Sequence, residues 1–400
     1  MIKFIPFGSP LKSFYAMLIC IVLWPSDVLI AQSQHVTPDG KGDITFVPGL
    51  RMQTRYEFNQ IDRNNDFFIR RLRLKGKGDI FGIASYNFEV KIDNTGRFNR
   101  TPSALLEHAW FTFPIVDELL TLRVGLEDDV FSRNALTSDS KLMVMDRSLI
   151  KNQLTLLGVT DNTIGALVYG RPMGGKMTYS FGIFDNLGFE TAGDSTILAR
   201  KSQGAMLTGR FAYDFLDPAN PSGSYDDYMA SYIGEGQRLT VATSLARLNR
   251  AEIGSDDVSL WAWGADLFFN IGPFTFEAEY NKYNIDFLSY LPSASGTIVT
   301  GDFPLPQNFN GSDSGNAVIG DGWYAQAGIL FLPKVEFAVR HQQLDANNHL
   351  LDDKNKWTTI GFNIYLRGHT FKIQTDYTFK KEGGDQIEND VLQAQLQLSF

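Results

Sequence analysis

The sequence predicts an all-β chain closed into a transmembrane antiparallel β-barrel of 16 strands. Three observations predict it. Beyond Gly40 the chain is a succession of roughly ten-residue alternating segments separated by turn residues. Their connections alternate between short and long. The last segment alternates strictly to the terminal Phe400. Composition agrees: Gly at 36, Phe at 31 and 44% hydrophobic residues suit strands with only alternate residues facing lipid. Nothing after the N-terminal segment is apolar for the ~20 residues a membrane helix needs.

Residues 1–31 read as a cleaved export signal, and residues 32–400 as a single barrel domain. Lys3 and Lys12 form a basic start, Phe14 to Trp24 an apolar run, Pro25 a break, and Leu29-Ile30-Ala31 a cleavage site. Cys20, the one cysteine, lies inside the apolar run. The mature chain therefore has no disulfide, thiolate metal site or cysteine nucleophile. The formal charge is −9, and losing Lys3, Lys12 and Asp27 takes it to −10. Such a balance excludes nucleic acid as a partner of the whole surface. It leaves room for a basic interior.

The segments span roughly 43–58, 66–78, 80–93, 104–114, 119–128, 162–171, 176–184 and 203–215 in the first half. In the second half they span 237–248, 258–271, 273–287, 321–332, 334–344, 354–367, 369–380 and 389–400. Tight joints such as Pro172-Met173-Gly174-Gly175, Gly272-Pro273, Pro333-Lys334 and Gly368 mark one end of the barrel. Connections of about 30 residues, 129–161 and 288–320, mark the other. Short turns in the periplasm and long loops outside are the outer-membrane pattern. Residues 216–236 are a long connection on the short side, and the pattern gives them no place.

The second segment carries the strongest chemical signal. Phe67 to Gly78 reads Phe-Phe-Ile-Arg-Arg-Leu-Arg-Leu-Lys-Gly-Lys-Gly. Alternation puts Arg71, Arg73, Lys75 and Lys77 on one face, and Phe68, Arg70, Leu72, Leu74 and Gly76 on the other. Four like charges about 7 Å apart repel, so a soluble sheet has little use for them. A wet barrel interior uses such a row to line an anion path. Arg51 and Arg55 on strand 1, Lys91 on strand 3 and Arg123 on strand 5 join the same basic wall. Asn87, Glu89 and Asp93 share the inner face of strand 3. The opposite wall is expected to be mixed and acid-leaning, with Asp266, Glu277, Glu279, Glu336, Arg340, Arg367, Lys372 and Asp376 inside.

Trp110 and Tyr365 at lumen positions suggest an alternative sugar or organic-acid path, while Trp261, Trp263, Tyr365 or Tyr377 suit the lipid interfaces. Other chemistry is weakly signalled. The histidines are His35, His108, His341, His349 and His369, and no catalytic constellation assembles from their spacing. His108 reads as a structural lumen residue beside Trp110. Asp226-Asp227, Asp256-Asp257 and Asp352-Asp353 read as solvated loop acids, which external Ca²⁺ could bridge to lipid headgroups. No metal site, cofactor or phosphate-cradling glycine loop is implied.

On the last segment Leu392, Ala394, Leu396, Leu398 and Phe400 share one face, and Gln393, Gln395, Gln397 and Ser399 the other. A terminal Phe on the apolar face resembles the C-terminal signature of outer-membrane barrels. That implies a Gram-negative outer membrane and recognition of this strand by the barrel assembly machinery.

Further blocks resemble the phosphate-selective porin O and P family. Phe68 to Gly76 is similar to its basic second strand. Leu106-Glu107-His108-Ala109-Trp110-Phe111-Thr112-Phe113 and Leu120-Thr121-Leu122-Arg123-Val124-Gly125 resemble its strand pair ending in Arg-Val-Gly. Ser138 to Leu149 resembles its loop folded into the pore, and the hairpin from Tyr169 to Asp185 also matches. The resemblance implies a passive outer-membrane channel for small anions, phosphate or polyphosphate among them. It implies a homotrimer and an inward constriction loop at 131–161, with Lys141, Arg147 and Lys151 reaching into the lumen. The family usually has a Lys and a Pro after Gly125. Here Leu126-Glu127-Asp128-Asp129 follows, which weakens phosphate selectivity more than the fold.

Overall fold

The computed structural model describes residues 34–36, 44–61, 64–98, 100–128, 130–160, 162–185, 200–202, 204–221, 223–253, 256–287, 317–348, 354–383 and 389–400. The expected signal at 1–31, His349, Asp352-Asp353 and most of the 288–320 connection lie outside the described residues. Sixteen strands form the barrel. The first eight are β1 (Ile44–Asn59), β2 (Asn64–Ile80), β3 (Ala84–Thr95), β4 (Ala104–Val116), β5 (Leu120–Asp128), β6 (Asn162–Gly170), β7 (Met177–Asp185) and β8 (Met206–Asp214). The second eight are β9 (Gln237–Ile253), β10 (Asp256–Ile271), β11 (Phe274–Phe287), β12 (Ala317–Leu332), β13 (Val335–Asp345), β14 (Lys354–His369), β15 (Phe371–Lys381) and β16 (Val391–Ser399).

Each strand pairs antiparallel with its sequence neighbours, and β16 pairs with β1 to close the ring. Closure leaves no edge for lipid to meet. The terminal residue seals the seam: Phe400 N–H donates to Leu50 O and Leu50 N–H to Phe400 O, both at 2.9 Å. Alternation on β16 is as read, with Gln393, Gln395 and Gln397 buried inward and Leu398 and Phe400 exposed outward. Outside, Trp263 lies against Tyr280 and Tyr377 against Phe379, at 5.4 and 4.7 Å between centroids. Tyr365 does not join them. It is buried inside, with its hydroxyl donating to Glu336.

Two β-bulges change the expected inner face of the N-terminal wall. Gln53 pairs with Arg71 but Thr54 with Ile69, so Arg70 is an extra residue in β2. Glu89 pairs with His108 but Val90 with Leu106, so Glu107 is extra in β4. A bulge flips every side chain beyond it to the other face. Phe68 and Arg70, expected on the lipid side, therefore turn inward with Arg71, while Phe67 is 56% exposed to lipid.

The interior is filled from both ends. The 131–161 connection enters from the long-loop end as helix α1 (Arg133–Leu136), a 3₁₀ turn (Asp139–Lys141) and helix α2 (Leu149–Leu156). Ser132 and Ser148 are the N-caps, accepting from Ala135 and Lys151 backbone N–H groups at 3.2 and 3.3 Å. Phe131, Leu136, Leu149, Ile150 and Leu154 bury against inward Phe184, Met206, Leu248, Leu260, Tyr283 and Val318. Each such side chain contributes about 1.5–3 kcal/mol. The β7–β12 wall therefore closes on a dry core rather than water.

Residues 215–236 enter from the opposite end, which gives them the place that periodicity did not. Tyr228 forms a parallel bridge with Thr137, Ala230 N–H donates to Lys141 O at 3.1 Å, and Ser231 Oγ donates to Glu336 at 2.6 Å. The two inserts are thus one body inside the barrel.

Candidate functional site

That body pushes the open space against β1–β5, where a cavity of about 920 Å³ runs along the wall. Its lining carries ten cations: Arg51, Arg70, Arg71, Arg73, Lys75, Lys77, Lys91, Arg123, Arg147 and Lys151. Eight carboxylates face the same space: Asp79, Glu89, Asp93, Glu107, Asp128, Asp139, Asp226 and Asp227. The difference is two positive charges, so the field favours anions modestly.

The cations have unequal freedom. Arg73 is the most heavily neutralised, with Asp93 at 3.0, Glu107 at 3.2, Glu89 at 3.5 and Asp139 at 4.0 Å. Lys75 pairs with Glu89 at 2.5 Å, and Lys91 pairs with Glu107. Arg71 donates to Gln53 and meets Asp139, both at 3.0 Å. Arg51 donates to Ser138 Oγ at 3.0 Å. Among the described residues, Arg51, Arg70 and Lys77 have no ion pair; Arg51 is buried and tied to Ser138, and Arg70 donates to Asn94 at 3.4 Å. Arg70 and Lys77 are the more accessible of the three.

Arg55 is not a pore cation. It lies under the inserted loop, 1% exposed, bonded to Gln395 and paired with Asp146 at 2.7 Å. Of the three loop cations, Arg147 pairs with Asp139 at 2.8 Å, Lys141 pairs with Asp227, and Lys151 lines the cavity. Arg123 is fixed by Asp226 at 3.0 Å and Glu127 at 3.5 Å, and stacks on Trp110 at 4.6 Å and Tyr225 at 4.8 Å. Asp226 and Asp227 are therefore ion-pair partners, not solvated loop acids. Asp256 and Asp257 begin β10 rather than lying in a loop.

The expected acidic wall does not line the path either. Glu277 pairs with buried Arg133 at 3.2 Å. Glu279 accepts from Asn134 N–H at 3.0 Å, and Asp376 from Met145 N–H at 2.6 Å. Asp266 pairs with Arg210 at 2.6 Å, while Arg340 and Lys372 donate to Asp146 and Leu142 carbonyls. Apart from Asp266, whose pair lies within the wall, these groups dock the inserts. Arg367, expected inside, is exposed at the turn before β15. The transverse field thus collapses into a mixed lattice on one wall.

Two loop carboxylates hold the body in place. Burial acts to raise the Asp139 carboxyl, but Arg71, Arg147 and Arg73 outweigh it and hold it well below the usual range. For Asp146, burial is likewise outweighed, by Arg55 and Arg70, and its carboxyl is held low. Among residues missed by alternation, Arg70 and Glu107 had one signal. Each sits in a polar doublet, Arg70-Arg71 and Glu107-His108, that strict alternation cannot place on one face. Asp139 and Asp226 had none.

A closed, lipid-facing barrel with a folded insert and a charged water path is the architecture of an outer-membrane porin, a passive channel. The chain belongs to the phosphate-selective porin O and P family, whose family model matches residues 49–400. A protein of Aquifex aeolicus strain VF5, described as uncharacterized, is 26% identical over 389 residues, covering 88% of this chain and 86% of its own. Similar solved structures include an anion-selective porin from Comamonas acidovorans, with TM-score 0.53, 12% identity and coverage of 89% and 99%. In-vitro folded OmpT of Vibrio cholerae, in trimer form, gives TM-score 0.56 at 9% identity and coverage of 89% and 99%. The channel DcaP of Acinetobacter baumannii gives 0.56 at 12% identity, covering 91% and 99%. At these identities the structures bear on fold alone.

Proposed function

We propose that this porin conducts small anions, phosphate and polyphosphate within that class, past a succession of weak cation sites on β2. The observation that carries the reading is the cavity lining, ten cations against eight carboxylates, with Arg70 and Lys77 free of ion pairs. Partly neutralised sites suit conduction, because an ion held tightly by a naked arginine cluster would not leave. The sugar path is less favoured. Arg123 covers the Trp110 ring, and Tyr365 is buried away from the cavity. The homotrimer that the family resemblance implies is part of the same proposal. Outward Phe400 supports recognition by the barrel assembly machinery, and residues 1–31 have the pattern of the export signal such a barrel needs.

The test is reversal potential across a planar bilayer under a salt gradient. Replacing Arg70 and Lys77 together by Gln takes the lining from two excess cations to none. The expected result is loss of most of the anion preference. An unchanged reversal potential overturns the reading.

A further inference from the structure

We infer that Asp226, carried into the lumen by the 215–236 insert, limits anion exit from the channel. The inference rests on the anion reading above and identifies a residue that opposes it. Strand register sets the geometry. Lys77 pairs with Asn87, Asn87 with Trp110, and Trp110 with Gly125. Arg123 lies two residues before Gly125 on β5, toward the short turn that precedes Leu120.

Arg123 cannot act as a free exit cation. Within β5 it meets Glu127, at 3.5 Å and 0% side-chain exposure. Asp226 adds a second carboxylate at 3.0 Å, with its side chain 19% exposed and facing the cavity. Trp110, Tyr169 and Tyr225 surround the guanidinium at 4.6, 5.5 and 4.8 Å, so it has no room to swing away. Asp226 therefore cancels the Arg123 charge on the side that a departing anion meets. The residues on either side of Asp226 have their own anchors: Tyr225 donates to Glu127 at 3.0 Å, Asp227 pairs with Lys141, and Arg133 donates to Met229 O at 3.0 Å.

The experiment uses the full barrel in planar bilayers, comparing wild type, Asp226→Asn and Asp226→Glu under a potassium chloride gradient. Asp226→Asn is expected to raise the anion-to-cation permeability ratio about threefold to fivefold, the scale of one contact charge facing water. Asp226→Glu is expected to match wild type. An unchanged ratio in Asp226→Asn overturns the inference. So does an equal shift in both variants, which assigns the effect to packing. A cation-selective wild type whose Asn variant still shifts toward anions overturns the anion reading while leaving the role of Asp226 standing.

Discussion

Replacing Asp139 by Asn removes one charge and almost no volume. Its carboxylate lies 3.0 Å from Arg71 and 2.8 Å from Arg147, with Arg73 at 4.0 Å. At an effective dielectric of about 20, each close contact carries roughly 5–6 kcal/mol of Coulomb attraction. Lost hydration and repulsion among the three guanidiniums cancel much of it. All partners are well shielded, with side-chain exposures of 16% for Asp139, 6% for Arg71 and 14% for Arg147. Breaking such a pair by removing one partner costs about 3–5 kcal/mol. The 142–149 stretch keeps its own anchors, Arg55 on Asp146 and Asn363 on Met143 O. The release is therefore expected to be local to 137–141. Single-channel recording should show larger, noisier conductance and a stronger anion preference. Thiol labelling of Ser140→Cys, buried here and the one cysteine of residues 32–400, should speed up by more than a hundredfold, as that free energy implies. Unchanged conductance together with unchanged labelling would refute the claim that Asp139 both docks the loop and neutralises the ladder.

The same carboxylates define a pH response. Asp139 and Asp146 are held below their usual range, so the docking they contribute is fully present above pH ~4 and is lost only as pH falls through the lowered values. Labelling of Ser140→Cys should stay slow from pH 8 to about 5; release between pH 5 and 7 would contradict the assignment. Gly125 has φ 143°, and a Cβ there would stand 2.2 Å from Ala109 O and 2.7 Å from Trp110 Cα. Gly125→Ala should destabilise the β4–β5 pairing by about 2 kcal/mol or more, read as a lower urea midpoint for barrel unfolding.

The barrel was legible because alternation is a local property. Each strand displays its two faces within a few residues, and turn residues mark the joints. What was not legible depends on contacts between distant residues. A bulge at Arg70 moves Phe68 and Arg70 inward, and only the Arg70-Arg71 doublet hinted at it. The acids of the far wall look like pore lining in one dimension. In three they accept from Asn134 and Met145 backbone N–H groups on the insert. Residues 216–236 carry no periodic signal, because their order comes from the barrel around them rather than from their own pattern.

The departure from the family at 126–129 now has a physical meaning. Glu127 is fully buried, balances Arg123 and accepts from Tyr225 at 3.0 Å, while Asp128 meets His108 at 3.3 Å. Where the family usually places a cation after Gly125, this chain places counter-ions for β4 and β5. Most of its lining cations are likewise partnered from the wall or from the inserts: Arg73 by Glu89, Asp93 and Glu107, Arg71 and Arg147 by Asp139, Arg123 by Asp226. Tight selection of one oxyanion needs several unpaired donors converging on one point. Of the lining cations that make no ion pair among the described residues, Arg51 is tied to Ser138, and Arg70 and Lys77 are separated by seven positions of one strand, roughly 20 Å of rise. Spaced in this way they give a graded attraction and no single deep site. On the proposed reading, such a lumen would prefer anions as a class rather than select one of them.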